Sequence, residues 1–69
     1  MYQVYFKNQN NDLCLLNNET DSINGILPND FVNDLEDKKL NFPYNFVRIK
    51  YQGKKYIISI SNLIIYFED

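Results

Sequence analysis

A chain of 69 residues with 45% apolar side chains fits one small domain spanning residues 1–69: it is too short for two cores and too apolar for intrinsic disorder. Seven basic against nine acidic residues leave a net charge of −2, neither the basic excess of a general nucleic-acid binder nor the heavy acidity of a DNA mimic. With no histidine and a single cysteine, Cys14, the sequence offers no internal disulfide, no zinc-type ligand set and no histidine-activated nucleophile, so neither metal nor cofactor is expected.

Met1 to Lys7 carries no basic region followed by a long apolar run, and no stretch approaches the ~20 apolar residues that cross a bilayer. A cytoplasmic protein is therefore expected. Asn, Ile, Lys, Tyr and Phe supply 36 of the 69 residues, and Gly, Pro, Arg and Ala together supply five. The first group has A/T-rich codons and the second G/C-rich ones, which points to a low-GC bacterium, one of its phages or a mobile element.

Along the chain, Tyr2, Val4 and Phe6 alternate with Gln3, Tyr5 and Lys7, the pattern of a half-buried strand. A turn over residues 8–11 would set Lys7 against Asp12, Phe6 against Leu13 and Val4 against Leu15, pairing charge with charge and apolar with apolar. Residues 17–26 read as a loop, with Asn24-Gly25 a turn rather than a further hairpin. Pro28 opens a helix of about three turns: Asn29 is the expected cap, Phe31, Val32 and Leu35 the apolar face, and Lys38 and Lys39 the basic last turn. Two turns then predict a three-stranded meander. Gln52-Gly53 sets Ile49 against Tyr56 and Val47 against Ile58. Ser61-Asn62 sets Ile60 against Leu63, Ile58 against Ile65 and Tyr56 against Phe67.

The expected fold is thus a small single α+β domain with about five antiparallel strands near residues 2–7, 12–17, 45–51, 54–60 and 63–68, plus one helix. A partly closed SH3-like or Sm-like barrel is the competing arrangement, since closure also removes edges. The core face reads Val47, Ile49, Tyr56, Ile58, Ile60, Leu63, Ile65 and Phe67. Its reverse carries Phe46, Arg48, Lys50, Lys55, Ile57, Ser59, Ile64 and Tyr66, unusually apolar for a wet face.

No catalytic constellation emerges, and no enzyme is expected. Cys14 reads as a small buried hydrophobe among leucines. Asp30, Asp34 and Asp37, at i, i+4 and i+7, line one edge of the helix, either as a solvated face or as a charge pattern for a basic partner. Tyr5, Phe46 and Tyr66 are the expected aromatic anchors for a protein contact. Arg48, Lys50, Lys54 and Lys55, with Tyr51, form a basic hairpin that would suit nucleic acid, or simply keep the hairpin tip soluble.

These features lead to the expectation of a non-enzymatic protein-binding module, in the form of a phage- or mobile-element-encoded inhibitor of a host protein. An anti-CRISPR or other anti-defence factor that occupies its partner's surface is the type envisaged, the partner itself being a nucleic-acid-binding protein in one version. The alternative is a small nucleic-acid-binding regulator using the basic hairpin. A homo-oligomer, burying the half-apolar second face against its own copy, is compatible with either.

Overall fold

The computed structural model describes residues 2–37 and 45–67. In chain order they form β1 (Tyr2–Lys7), β2 (Leu13–Leu15), β3 (Ser22–Ile23), α1 (Pro28–Glu36), β4 (Phe46–Tyr51), β5 (Lys54–Ser59), a 3-10 turn (Ile60–Asn62) and β6 (Leu63–Phe67). The class is α+β. The strands build two antiparallel sheets, ordered β2-β1-β6 and β3-β4-β5.

The inner faces of both sheets and one face of α1 share a single core. Val4 and Phe6 enter it from β1, Ile23 from β3, Phe31 and Val32 from α1, and Val47 and Ile49 from β4, with Leu16 beside them. Phe6 joins the sheets directly. Its ring meets Tyr51 edge-on at 5.1 Å and Tyr56 at 5.7 Å, both from the other sheet. The helix packs on this inner side, as Phe31, Val32 and Leu35 require.

The Gln52-Gly53 turn forms as the alternation requires. Both residues have positive φ, 49° and 79°, the primed-turn geometry that matches strand twist. Val47 faces Ile58 and Ile49 faces Tyr56, and Lys50 directly faces Lys55.

The first hairpin differs by one residue. Asn8 Oδ1 accepts from the N–H groups of Asn10 and Asp12, at 2.8 and 3.0 Å, and Asn11 takes a left-handed φ of 64°. Asp12 is thereby drawn into the loop, and Lys7 faces Leu13, Phe6 faces Cys14 and Tyr5 faces Leu15. A one-residue slip exchanges the faces of a strand. Cys14 consequently packs against the core, partly buried, while Leu13 and Leu15 turn outward.

Asn24-Gly25 makes a minimal hairpin rather than a plain turn. Both residues have positive φ, and Ile23 and Ile26 exchange backbone hydrogen bonds of 2.8 and 2.9 Å across them. This turn creates β3, absent from the expected five strands, which pairs Ser22 with Lys50 and Ile23 with Ile49.

At the helix start Leu27 is the N-cap, with no side-chain cap bond, and Pro28 stands in the first turn. Proline's fixed φ presets the helix, which frees Asn29 for another task. Its side chain accepts from the N–H of Tyr2 at 2.9 Å and donates to the Tyr2 carbonyl at 3.0 Å, clamping β1 to α1. The expected basic last turn, Lys38 and Lys39, lies outside the described residues.

The meander is not formed. After β5 the 3-10 turn, with Ser59 Oγ accepting from the Ser61 N–H, carries the chain to the other sheet. There β6 pairs with β1, from Tyr2 opposite Phe67 to Phe6 opposite Leu63. The expected pairs of Ile60 with Leu63, Ile58 with Ile65 and Tyr56 with Phe67 are replaced by these. The competing barrel does not close either: among the described residues no ladder joins the two sheets, and β5 keeps a free edge.

Candidate functional site

The expected protein-contact residues fall on three separate surfaces. Asp30 and Asp37 are exposed and Asp34 is half-buried, all along α1 or at its C-terminal cap. Glu36 joins them. Its carboxylate accepts from the Tyr2 hydroxyl and thereby pushes that phenol above its ordinary value of 10.0, helped by desolvation and by the charges of Glu36 and Asp37. No cluster fit to hold a metal ion occurs among the described residues.

Tyr5 and Tyr66 lie on the outer face of the β2-β1-β6 sheet, where their rings meet edge to face at 5.5 Å. The Tyr5 hydroxyl donates to Gln3 Oε1 at 3.1 Å. The shifted register adds Leu13 and Leu15 to the same face, 48% and 49% exposed. Ile64, opposite Tyr5 on β6, completes an apolar patch across all three strands. The leucines were missed in the sequence because the simpler four-residue loop hid them. The signal was the Asn8-Gln9-Asn10-Asn11-Asp12 run, whose first asparagine can bond backbone two and four residues on.

Phe46, 62% exposed, stands on the outer face of the other sheet. It shares that face with Arg48, Lys50, Lys55 and Ile57, while Lys54 flanks the turn. Arg48 is held at the backbone by Asn24: its N–H donates to Asn24 Oδ1, and its carbonyl accepts from the Asn24 N–H, both at 2.8 Å. The basic hairpin therefore exists, with its four cations exposed. Tyr51 is a different matter. Its ring packs on Phe6, and desolvation first, then the charges of Cys14, Asp21 and Tyr56, pushes its phenol above 10.0. It serves the core and does not offer a free stacking face.

One buried carboxylate fixes how this hairpin sits. Asp21, 2% exposed, accepts from the Asn17 N–H at 2.7 Å and from the Gln52 N–H at 3.0 Å. It ties the turn between β4 and β5 to the loop before β3.

Two shallow grooves border β5. One, of about 580 Å³, runs between its free edge and the β1–β2 loop and is lined by Lys7, Gln9, Asn10, Lys55, Ile57 and Asn62 among others. The second, of about 550 Å³, lies over the outer face between Gly25, Arg48, Lys50 and Ile57. Comparison with known proteins returns no matching family model, no similar curated protein and no similar solved structure.

Proposed function

We propose that this protein is a non-enzymatic binding module that acts by occupying the surface of a partner protein. One observation carries the reading: the outer face of the β2-β1-β6 sheet presents Tyr5, Leu13, Leu15, Ile64 and Tyr66 together. An antiparallel sheet with one dry face ordinarily keeps the other polar, and contiguous exposed apolar patches mark contact sites. The Tyr5–Tyr66 pair supplies rigid aromatic area with polar tips, the chemistry that anchors protein contacts. An inhibitor of a host protein encoded by a phage or mobile element, of anti-CRISPR or another anti-defence type, is the form that the A/T-rich codon usage favours.

A tagged chain incubated in lysate of a low-GC bacterium, with and without nuclease, tests this reading. The expected result is a stoichiometric protein partner that survives nuclease and is lost with Leu15→Glu, a change at an exposed position. A partner retained by Leu15→Glu would sink the assignment of this face. A second reading, nucleic-acid binding, is favoured by the common exposure of Arg48, Lys50, Lys54 and Lys55. It predicts recovery of nucleic acid alone, weakening steeply with salt.

A further inference from the structure

We infer that the free edge of β5 is a strand-addition site for an extended, acidic segment of another protein. This site is separate from the apolar outer face of the β2-β1-β6 sheet and does not depend on it.

The backbone comes first. In a two-residue hairpin the residues flanking the turn exchange both their hydrogen bonds, and the bonded pairs then alternate. Tyr51 with Lys54, Ile49 with Tyr56 and Val47 with Ile58 are therefore the bonded pairs of the β4–β5 ladder. Two observed bonds fix this phase: the Ile60 N–H donates to Asn45 O, on the β5 side, and the Asn24 N–H donates to Arg48 O, on the β3 side, each at 2.8 Å. It follows that Lys55 and Ile57 aim their N–H and C=O groups away from β4, into the groove of about 580 Å³. Among the described residues no strand pairs there.

The side chains then select the occupant. Lys7 and Lys55 line this groove, and among the described residues no acidic one does. Lys54 precedes Lys55 on the same strand, and Lys50 stands opposite Lys55. Five of the chain's seven basic residues, Lys7, Arg48, Lys50, Lys54 and Lys55, thus gather around β5. Ile57, 74% exposed, adds an apolar contact in the middle of the strand. Lysines on an edge deter indiscriminate pairing, and the same lysines favour a strand that brings carboxylates. A second copy of β5 would bring further lysines instead.

Main-chain bonds supply affinity in such additions, and alternate side chains supply specificity. An antiparallel guest would place an apolar residue opposite Ile57 and a carboxylate opposite Lys55. In its own sequence these stand two apart, apolar first and acid second. Gln9 and Asn10, on the far wall of the groove, offer amides to the guest's outer edge.

The test is selection of a random linear peptide library against the full chain, followed by affinity measurement on the enriched peptides. The expected peptides carry an aspartate or glutamate two positions after an aliphatic or aromatic residue. Their binding slows hydrogen exchange at the Lys55 and Ile57 amides. Ile57→Pro removes an edge donor without taking a bond from the ladder, a substitution edge strands tolerate, and lowers affinity at least about tenfold. Should that variant lose its fold, Lys54→Glu with Lys55→Glu provides the second arm, turning selection towards basic peptides. Failure to enrich any peptide, enrichment without acidic residues, or binding indifferent to a folded Ile57→Pro would each overturn the inference. Displacement of the enriched peptides by single-stranded polythymidine at lower concentration than by the peptides themselves would overturn it in favour of a nucleic-acid groove.

Discussion

On the solvent side of the β2-β1-β6 sheet stand Tyr5, Leu13, Leu15, Ile64 and Tyr66; on that of the β3-β4-β5 sheet, Arg48, Lys50 and Lys55 surround Phe46 and Ile57. The inner sides of the same two sheets are interchangeable in character, both aliphatic and aromatic, and meet in one core. Packing dictates the inner sides. It leaves the outer sides open, so the contrast between an apolar face and a cationic one is not set by what holds the fold together.

The sharpest way to break the contrast is to remove what the sheets share. Phe6→Ala deletes the ring that touches Tyr51 and Tyr56 across the core and should cost about 3–5 kcal/mol. A chain of this length has a total stability on the order of 3–10 kcal/mol. Chemical denaturation should therefore find the variant largely unfolded, with both sheets lost together; one sheet persisting would show that the core is not shared.

A smaller effect, confined to the cationic sheet, comes from Asp21→Ala. It strips the buried acceptor from the Asn17 and Gln52 N–H groups and should cost about 1–3 kcal/mol. The change should appear as a lower denaturation midpoint, with faster amide exchange at Gln52. Gly53→Ala comes next. Nothing obstructs a methyl group there, but φ is +79°, and the left-handed backbone alone should cost about 1–2 kcal/mol.

Lys55→Glu reverses the sign. It turns the Lys50–Lys55 repulsion into attraction and should stabilise by about 0.2–1 kcal/mol at low salt, with the gain shrinking as salt is added. Leu15→Glu, on the apolar face, should leave the melting temperature nearly unchanged, and the comparison between these two variants separates fold from surface.

Alkaline titration sharpens the comparison once more. Tyr2 and Tyr51 both have phenols held above 10.0 in the folded chain. The folded state then retains protons that the unfolded state releases, so their contribution is fully present below pH 10.0 and is lost as pH rises through the raised values. Thermal melts followed from neutral to strongly alkaline pH should be level and then fall. Tyr51→Phe should weaken that fall, since the core-side phenol no longer titrates.

Some of this architecture was legible in the residues and some was not, for identifiable reasons. The Gln52-Gly53 hairpin could be read because a two-residue turn permits one register, and alternation on both flanks agrees with it. The Asn8 loop could not, because a side chain recruits Asp12 and moves the register by one. The partner of β6 was beyond alternation altogether: whether it joins β5 or β1, the same residues, Leu63, Ile65 and Phe67, share one side of the strand. Of these only Leu63 packs on the core; Ile65 and Phe67, expected there, stay 38% and 66% exposed at the far end of β6. Asn29 was misread because Pro28 already presets the helix. Among candidate surface residues, the exposure of Phe46 and Tyr66 followed from strand parity. That they lie on different sheets depended on the β6 pairing. Parity also sets Tyr51 on the side of Val47 and Ile49, away from Arg48 and Lys50, and only its partner there, Phe6, depended on how the sheets pack.

The pairing of β1 with β6 also bears on the order of events in folding. The β4–β5 hairpin closes over two residues, whereas β1 and β6 come together only after almost the whole described chain has been gathered. Distant closure is entropically costly and tends to come late. The Tyr5–Tyr66 contact is then among the last to form, and substitutions of Tyr66 should accelerate unfolding while leaving the folding rate nearly untouched. A surface assembled in the final step is present only in fully folded molecules, so a partner that grips it holds β6 in place and slows the opening of the whole chain.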